Sequence, residues 1–215
     1  MLKLARNRNR GRLLVFEGTD GAGKTTLIRQ TMLYLGEKLG EDRLLLLKQP
    51  TDLARKTKLF QKMMYCSAHD EIDYRAVQLL TLSDRVQHNR EVIVPALEAG
   101  KLVVCDRYLY TSIVNMLARG YRRERWFFLA CRSIVRPDLG FLAYADPELA
   151  IERIRRRPEE CRRHLDEQLL RSVAREFLRR REKFALHLID TAREPEAAFA
   201  QMRPYLNRLA EEMKP

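Results

Sequence analysis

From Gly18 the chain reads Gly-Thr-Asp-Gly-Ala-Gly-Lys-Thr25, which fills the spacing G-x-x-x-x-G-K-[ST] directly after a short apolar run and directly before a helical one. Glycines at 18, 21 and 23 let the backbone turn its N–H groups inward as a nest for phosphate oxygens, and the following helix adds the positive end of its dipole. Lys24 then reaches the β- and γ-phosphates, and the Thr25 hydroxyl is placed to ligate Mg²⁺. The chemistry is nucleoside-triphosphate binding, through Gly18, Thr19, Asp20, Gly21, Ala22, Gly23, Lys24, Thr25 and Thr26. The alternative is a tight glycine turn with an incidental lysine. Motors, GTPases and small-molecule kinases share the loop, so the reaction needs further residues.

Three other groups are placed to act on phosphate. Asp106-Arg107-Tyr108 ends an apolar run, so its carboxylate should emerge on the ligand side of a sheet, where it can hold Mg²⁺ through water. Arg107 offers a planar fork suited to a pair of phosphate oxygens; the alternative is an Asp-Arg ion pair closing a strand. Upstream, Ser83-Asp84-Arg85 lies on a helical stretch with His88 one turn on, and Arg85 points either into the same crevice or into solvent. Finally, Pro147-Glu-Leu-Ala-Ile-Glu-Arg-Ile-Arg-Arg-Arg-Pro158 starts as a helix and ends at a proline, with Arg153, Arg156 and Arg157 on one face. Phosphoryl transfer needs positive charge on the transferring group and closure against water, which an arginine-rich lid over about 153–165 would supply.

The elements that must position these residues follow from the apolar pattern. Five short runs, Arg12–Glu17, Leu44–Lys48, Leu102–Asp106, Leu139–Tyr144 and Leu186–Asp190, read as strands covered on both faces. Helical spacing over Thr25–Leu39 and Arg75–Ala99 alternates with them. The order predicts one α/β domain over 1–215, an open parallel sheet with its ligand at the carboxyl ends of the strands.

Composition narrows the partners. Lys and Arg number 41 against 29 Asp and Glu, a formal charge of +12 that points to anionic partners. Half of it lies between Arg153 and Lys183, where twelve basic residues face six acidic ones. Nucleic-acid surfaces often intersperse aromatic platforms among their basic residues, and this segment has only His164 and Phe177, which speaks against that class. The basic start, residues 1–11, reads as a frayed arm. No run approaches a membrane span or a signal peptide, so the expectation is a cytoplasmic protein. Cys66, Cys105, Cys131 and Cys161 form no C-x-x-C pair and read as reduced thiols rather than a zinc site.

Taken in order, Phe16–Thr25, Ser83-Asp-Arg-Val-Gln-His88, Ile93 to Tyr108, Arg136-Pro-Asp-Leu139, Asp146 to Arg157 and Ile189-Asp190 resemble the thymidylate-kinase family, from about Leu13 to Leu209. The resemblance implies a P-loop NTPase fold, ATP with Mg²⁺, transfer of the γ-phosphoryl to a nucleoside monophosphate, chiefly dTMP, and a homodimer. It implies that Asp20 contacts the acceptor sugar or sits near the Mg²⁺. Arg85 would approach the acceptor base, Arg107 would hold the acceptor phosphate, and Pro50 and Thr51 would line the acceptor site. Gly21 stands where some members carry an arginine, so the catalytic arginine should come from the lid, as Arg153 or Arg157.

The sequence also departs from that family. After Tyr108, Thr111 and Ser112 keep polar groups near the base, but Asn115 and Met116 replace an aromatic and an amide, and Thr81 stands where an aromatic is expected. A non-enzymatic, nucleotide-gated binding protein and a kinase of another phosphorylated metabolite are the competing readings.

Overall fold

The computed structural model describes residues 2–65, 71–158 and 164–214. Five strands, β1 (Arg12–Glu17), β2 (Leu44–Lys48), β3 (Leu102–Asp106), β4 (Leu139–Tyr144) and β5 (His187–Asp190), form one parallel sheet in the order β2-β3-β1-β4-β5. The crossovers leave β1 and β3 central, which is why both read as unbroken apolar runs. Leu13 and Val15 enter the core on one face with Val103, Cys105 and Leu142. Leu14 and Phe16 enter on the other with Val104, Phe141 and Ala143. β2 and β5 lie at the edges, and Leu46 stays half exposed there, so coverage on both faces does not extend to β2.

Register aligns the functional ends. Phe16 and Lys48 both pair with Asp106, so the loops leaving β1, β2 and β3 open at the same edge of the sheet. α1 (Lys24–Leu39) follows β1. After β2 come α2 (Asp52–Arg55), α3 (Lys58–Tyr65) and α4 (Tyr74–His88). The helix expected over 75–99 is interrupted. A π-type turn at Asn89–Ile93 separates α4 from α5 (Val94–Glu98), where the Asn89 side chain holds Ser133 O and Val135 N and Pro95 begins the new segment.

α6 (Leu109–Ala118) and α7 (Arg125–Ala130) follow β3, then α8 (Pro147–Arg155) and α9 (Glu167–Arg180) follow β4. The chain closes with α10 (Pro195–Ala200) and α11 (Arg203–Glu212) packed on α1. The basic start departs from the expected frayed arm. Ala5 N donates to Ile134 O at 2.9 Å, Arg136 N donates to Ala5 O at 2.7 Å, and Asn7 holds Asp138, so backbone pairing and Leu2 and Leu4 seat this segment on the core. Cys105 and Cys131 are buried free thiols; Cys66 and Cys161 lie outside the described residues. Among the described residues no helix is long and apolar enough to cross a membrane.

Candidate active site

One cavity of about 430 Å³ runs along the carboxyl edge of the sheet, from the glycine-rich loop at one end to α4 and α6 at the other. Gly18, Gly21 and Gly23 all have positive φ, and Gly23 leaves α1 without a side-chain cap or an acidic residue in its first turn. The first N–H groups of that helix therefore remain available to an anion. Thr19, Asp20, Gly21, Gly23, Lys24 and Thr25 line the cavity, whereas Ala22 is buried in the core and Gly18 and Thr26 do not face it. The loop is braced from behind, because Thr191 Oγ1 donates to Ala22 O or to Tyr144 O.

Lys24 is only 8% exposed and folds back on its own loop, donating to Thr19 O at 2.7 Å and Gly18 O at 3.1 Å. Burial, with the charge of Arg107, pulls its ammonium down to about 7, against the attraction of Asp20, Asp106 and Glu17. A bound triphosphate would supply the missing countercharge.

At the end of β3, Arg107 adopts φ +66°, a left-handed conformation that costs a non-glycine residue about 1–2 kcal/mol. Its N–H donates to Phe16 O at 2.9 Å, and its guanidinium donates to Gly18 O at 2.9 Å, to Thr111 Oγ1 and to Asp20. The turn is held from below by fully buried Glu17, which accepts from Tyr108 N, Thr111 N and the Thr111 hydroxyl. Burial raises the Glu17 carboxyl, and these bonds and Arg107 oppose the rise. Burial would likewise lower Arg107, but Asp20, Asp106 and Glu17 outweigh it and hold the guanidinium charged.

Asp106 has one buried carboxylate oxygen without a partner among the described residues, and Thr25 presents its hydroxyl to the same cavity. No cluster of three metal-ligating side chains occurs among the described residues. Two hard oxygen donors beside a phosphate nest fit Mg²⁺, which takes few protein ligands and completes its shell with phosphates and water.

The part of the cavity where the resemblance implies an acceptor is built by α2, α4 and α6. Asp84 accepts from Thr51 N at 2.8 Å and from the Thr51 hydroxyl, which fixes the Pro50–Thr51 loop; Pro50 lines the cavity, while Thr51 serves as the cap of α2. Arg85 turns inward rather than to solvent. It is 2% exposed, donates to Thr81 O at 3.1 Å, leaves Nε unpaired, and is lowered by burial. Ser112 and Thr111 line the wall as expected. Asn115 lines it too, but its amide is occupied, donating to Thr111 O at 2.9 Å and accepting from Arg119 at 2.8 Å. Met116 packs into the core.

The lid residues separate. Arg153 donates to Thr191 O at 2.8 Å and Gly21 O at 3.5 Å, strapping α8 to the glycine-rich loop. Arg157 lines the cavity just past the helix end. Arg156, expected on their face, pairs instead with Glu152 one turn earlier on the exposed side of the helix end and does not line the cavity. Residues 159–163 of the expected lid lie outside the described residues.

The sequence reading missed Arg55, Gln78, Phe60 and Arg119. Arg55 lies beside Arg107 and reaches the cavity from α2, holding Pro50 O at 2.6 Å, and its signal was an arginine one turn past the Pro50–Thr51 loop. Gln78 interrupts the buried stripe of α4, which was visible as spacing. Phe60 and Arg119, whose guanidinium stands 4.1 Å from the Tyr74 ring centre, meet the site only through tertiary packing. Phe177 is buried in the core, which leaves His164 as the exposed ring of the basic segment.

Residues 16–202 match the family model described as thymidylate kinase. A probable thymidylate kinase of Pyrococcus abyssi is 37% identical over 177 residues, covering 81% of this chain and 85% of that protein. The thymidylate kinase of a Geobacillus species is 33% identical over 199 residues, covering 89% and 93%. Among solved structures, the thymidylate kinase of Ehrlichia chaffeensis superposes with a TM-score of 0.67 at 21% identity, over 92% of this chain and 98% of that one, a likeness of fold.

Proposed function

The chain belongs to the thymidylate kinase family of phosphotransferases, and from that premise we propose that it transfers the γ-phosphoryl of ATP to dTMP, giving dTDP and ADP. The observation that carries the reading is a single cavity lined by the phosphate nest, by Arg107 against that nest, and by Arg55 and Arg85 from α2 and α4.

An acceptor phosphate oxygen attacks the γ-phosphorus as the bond to the β-phosphate oxygen breaks, and ADP departs with the electron pair. The oxygen is already anionic at neutral pH, so no general base is needed and positioning carries the rate. Lys24, released from Thr19 O and Gly18 O, meets the β- and γ-phosphates. Arg107 and Arg55 hold the acceptor phosphate, while Asp20 orients Arg107 or takes the acceptor sugar. Arg157 brings charge to the transferring group, and Arg153 keeps α8 in place over Gly21. Thr25 and Asp106 would hold Mg²⁺, which neutralises charge on the phosphate oxygens when bound.

The test is ADP release from ATP and Mg²⁺ with each nucleoside monophosphate in turn, with Lys24→Ala as control. Turnover that prefers dTMP and vanishes in the variant is the expected result; ATP binding without any acceptor-dependent turnover refutes it.

We further assign a cytoplasmic homodimer. Leu79 on α4 and Leu129 on α7 leave apolar side chains exposed on two helices that pack together, which supports pairing through α4, and light scattering at twice the chain mass would establish it.

A further inference from the structure

The departures at Thr81, Asn115 and Met116 remove the residues through which the family resemblance would read a base, yet the cavity is not left without a reader. On α4, Tyr74, Gln78, Thr81 and Arg85 recur at i, i+4, i+7 and i+11, and all four line the cavity. Three of them have settled roles. Tyr74 carries the Arg119 guanidinium over its ring, Thr81 lends its carbonyl to Arg85, and Arg85 stands at the inner end of the row.

Gln78 has no settled role. It is 2% exposed, and its Oε1 is buried with no hydrogen-bond partner among the described residues. Its amide lies beside the Tyr74 hydroxyl. A buried amide oxygen left unpaired is destabilising unless a ligand supplies the donor. Asn115, the other amide in the wall, already has a hydrogen bond at each end, so no unpaired atom there calls for a ligand.

We propose that Gln78 is the specificity-determining residue for the acceptor base, its Oε1 accepting the N3–H of a thymine ring and its amide N–H donating to the adjoining ring carbonyl. A carboxamide presents an acceptor and a donor side by side, which is the complement of an N–H beside a C=O. Recognition here would thus rest on an edge-on amide pair instead of an amide on α6 and a ring on α4. The phenyl ring of Phe60 and the side chain of Val77 border the same space and leave the base apolar neighbours. The inference rests on dTMP being the acceptor.

The experiment is a two-by-two comparison of kcat/KM: wild type and Gln78→Leu, each with dTMP and with N3-methyl-dTMP, which lacks the N–H. Gln78→Ala, which leaves room for the methyl group, repeats the comparison. Wild type should reject the methylated acceptor by on the order of 100-fold, and both variants should lose about tenfold or more on dTMP while discriminating less than about threefold. The KM for ATP should stay unchanged, because Gln78 is remote from the glycine-rich loop. Discrimination that persists in the variants, or wild type that accepts both nucleotides alike, overturns the assignment of Gln78 while leaving the dTMP reading intact. Wild type that turns over no thymine nucleotide overturns both.

Discussion

Gly21→Ala tests whether the glycine-rich loop and the arginine-bearing helix act as one unit. A Cβ built at Gly21 would stand 2.3 Å from the backbone oxygen of Ala150 on α8, at a residue whose φ is +75°. Ordinary contact lies roughly 1 Å further out, so α8 must retreat by about that distance, and a carbonyl in a helix cannot rotate away. The φ adds about 1–2 kcal/mol of strain, enough to lower Tm by several degrees in a chain of this size. Because α8 carries Arg153 and leads to Arg157, a displacement of about 1 Å should reduce kcat on the order of 100-fold.

Gly100→Ala is the matched control. It has φ +79° and no atom within 4 Å of its would-be Cβ, so it shares the backbone strain without the contact. Thermal melts and single-turnover phosphoryl transfer on both variants separate the two effects. Gly100→Ala should lose Tm and keep kcat, and Gly21→Ala should lose both. A Gly21→Ala enzyme with kcat within about threefold of wild type would refute the coupling of loop to lid. The same contact explains why an arginine at position 21 is not accommodated here.

Lys24 links nucleotide binding to proton uptake. Its folded pKa is about 7 against an ordinary 10.5, so the unfolded chain binds more protons between those values and the unliganded protein gains stability as pH rises through them. Bound phosphates restore the ammonium. Calorimetry with an ATP analogue at about pH 8.5, in buffers of differing ionisation enthalpy, should therefore read uptake approaching one proton, with affinity falling by up to about tenfold per pH unit. A flat affinity above pH 7.5, or uptake that survives Lys24→Ala, counts against this. The two lid arginines should also part in kinetics. Arg157→Ala should lower kcat about 10²–10³-fold with Tm unchanged, whereas Arg153→Ala should lower kcat and Tm together, since it breaks the strap to Gly21 O and Thr191 O. Equal Tm losses in both would remove the distinction.

Sequence alone determined the elements that carry local rules. The glycine-rich loop is legible because its spacing and its positive φ angles are dictated residue by residue, and the strands because central parallel strands must be apolar on both faces. The ends of β1 and β3 then had to bring Asp106 and Arg107 opposite Lys24. Only the tertiary structure decided which polar side chains are spent and which are free. Asn115 looked available, yet Arg119, four residues on, bonds its oxygen; Arg85 was open between crevice and solvent, and the fold turns it inward. Arg156 is drawn away from the cavity by the carboxylate of Glu152, four residues before it. Gln78 stood in plain view on a buried stripe, but an unsatisfied atom is a property of every neighbour at once, and no spacing rule along one chain records it.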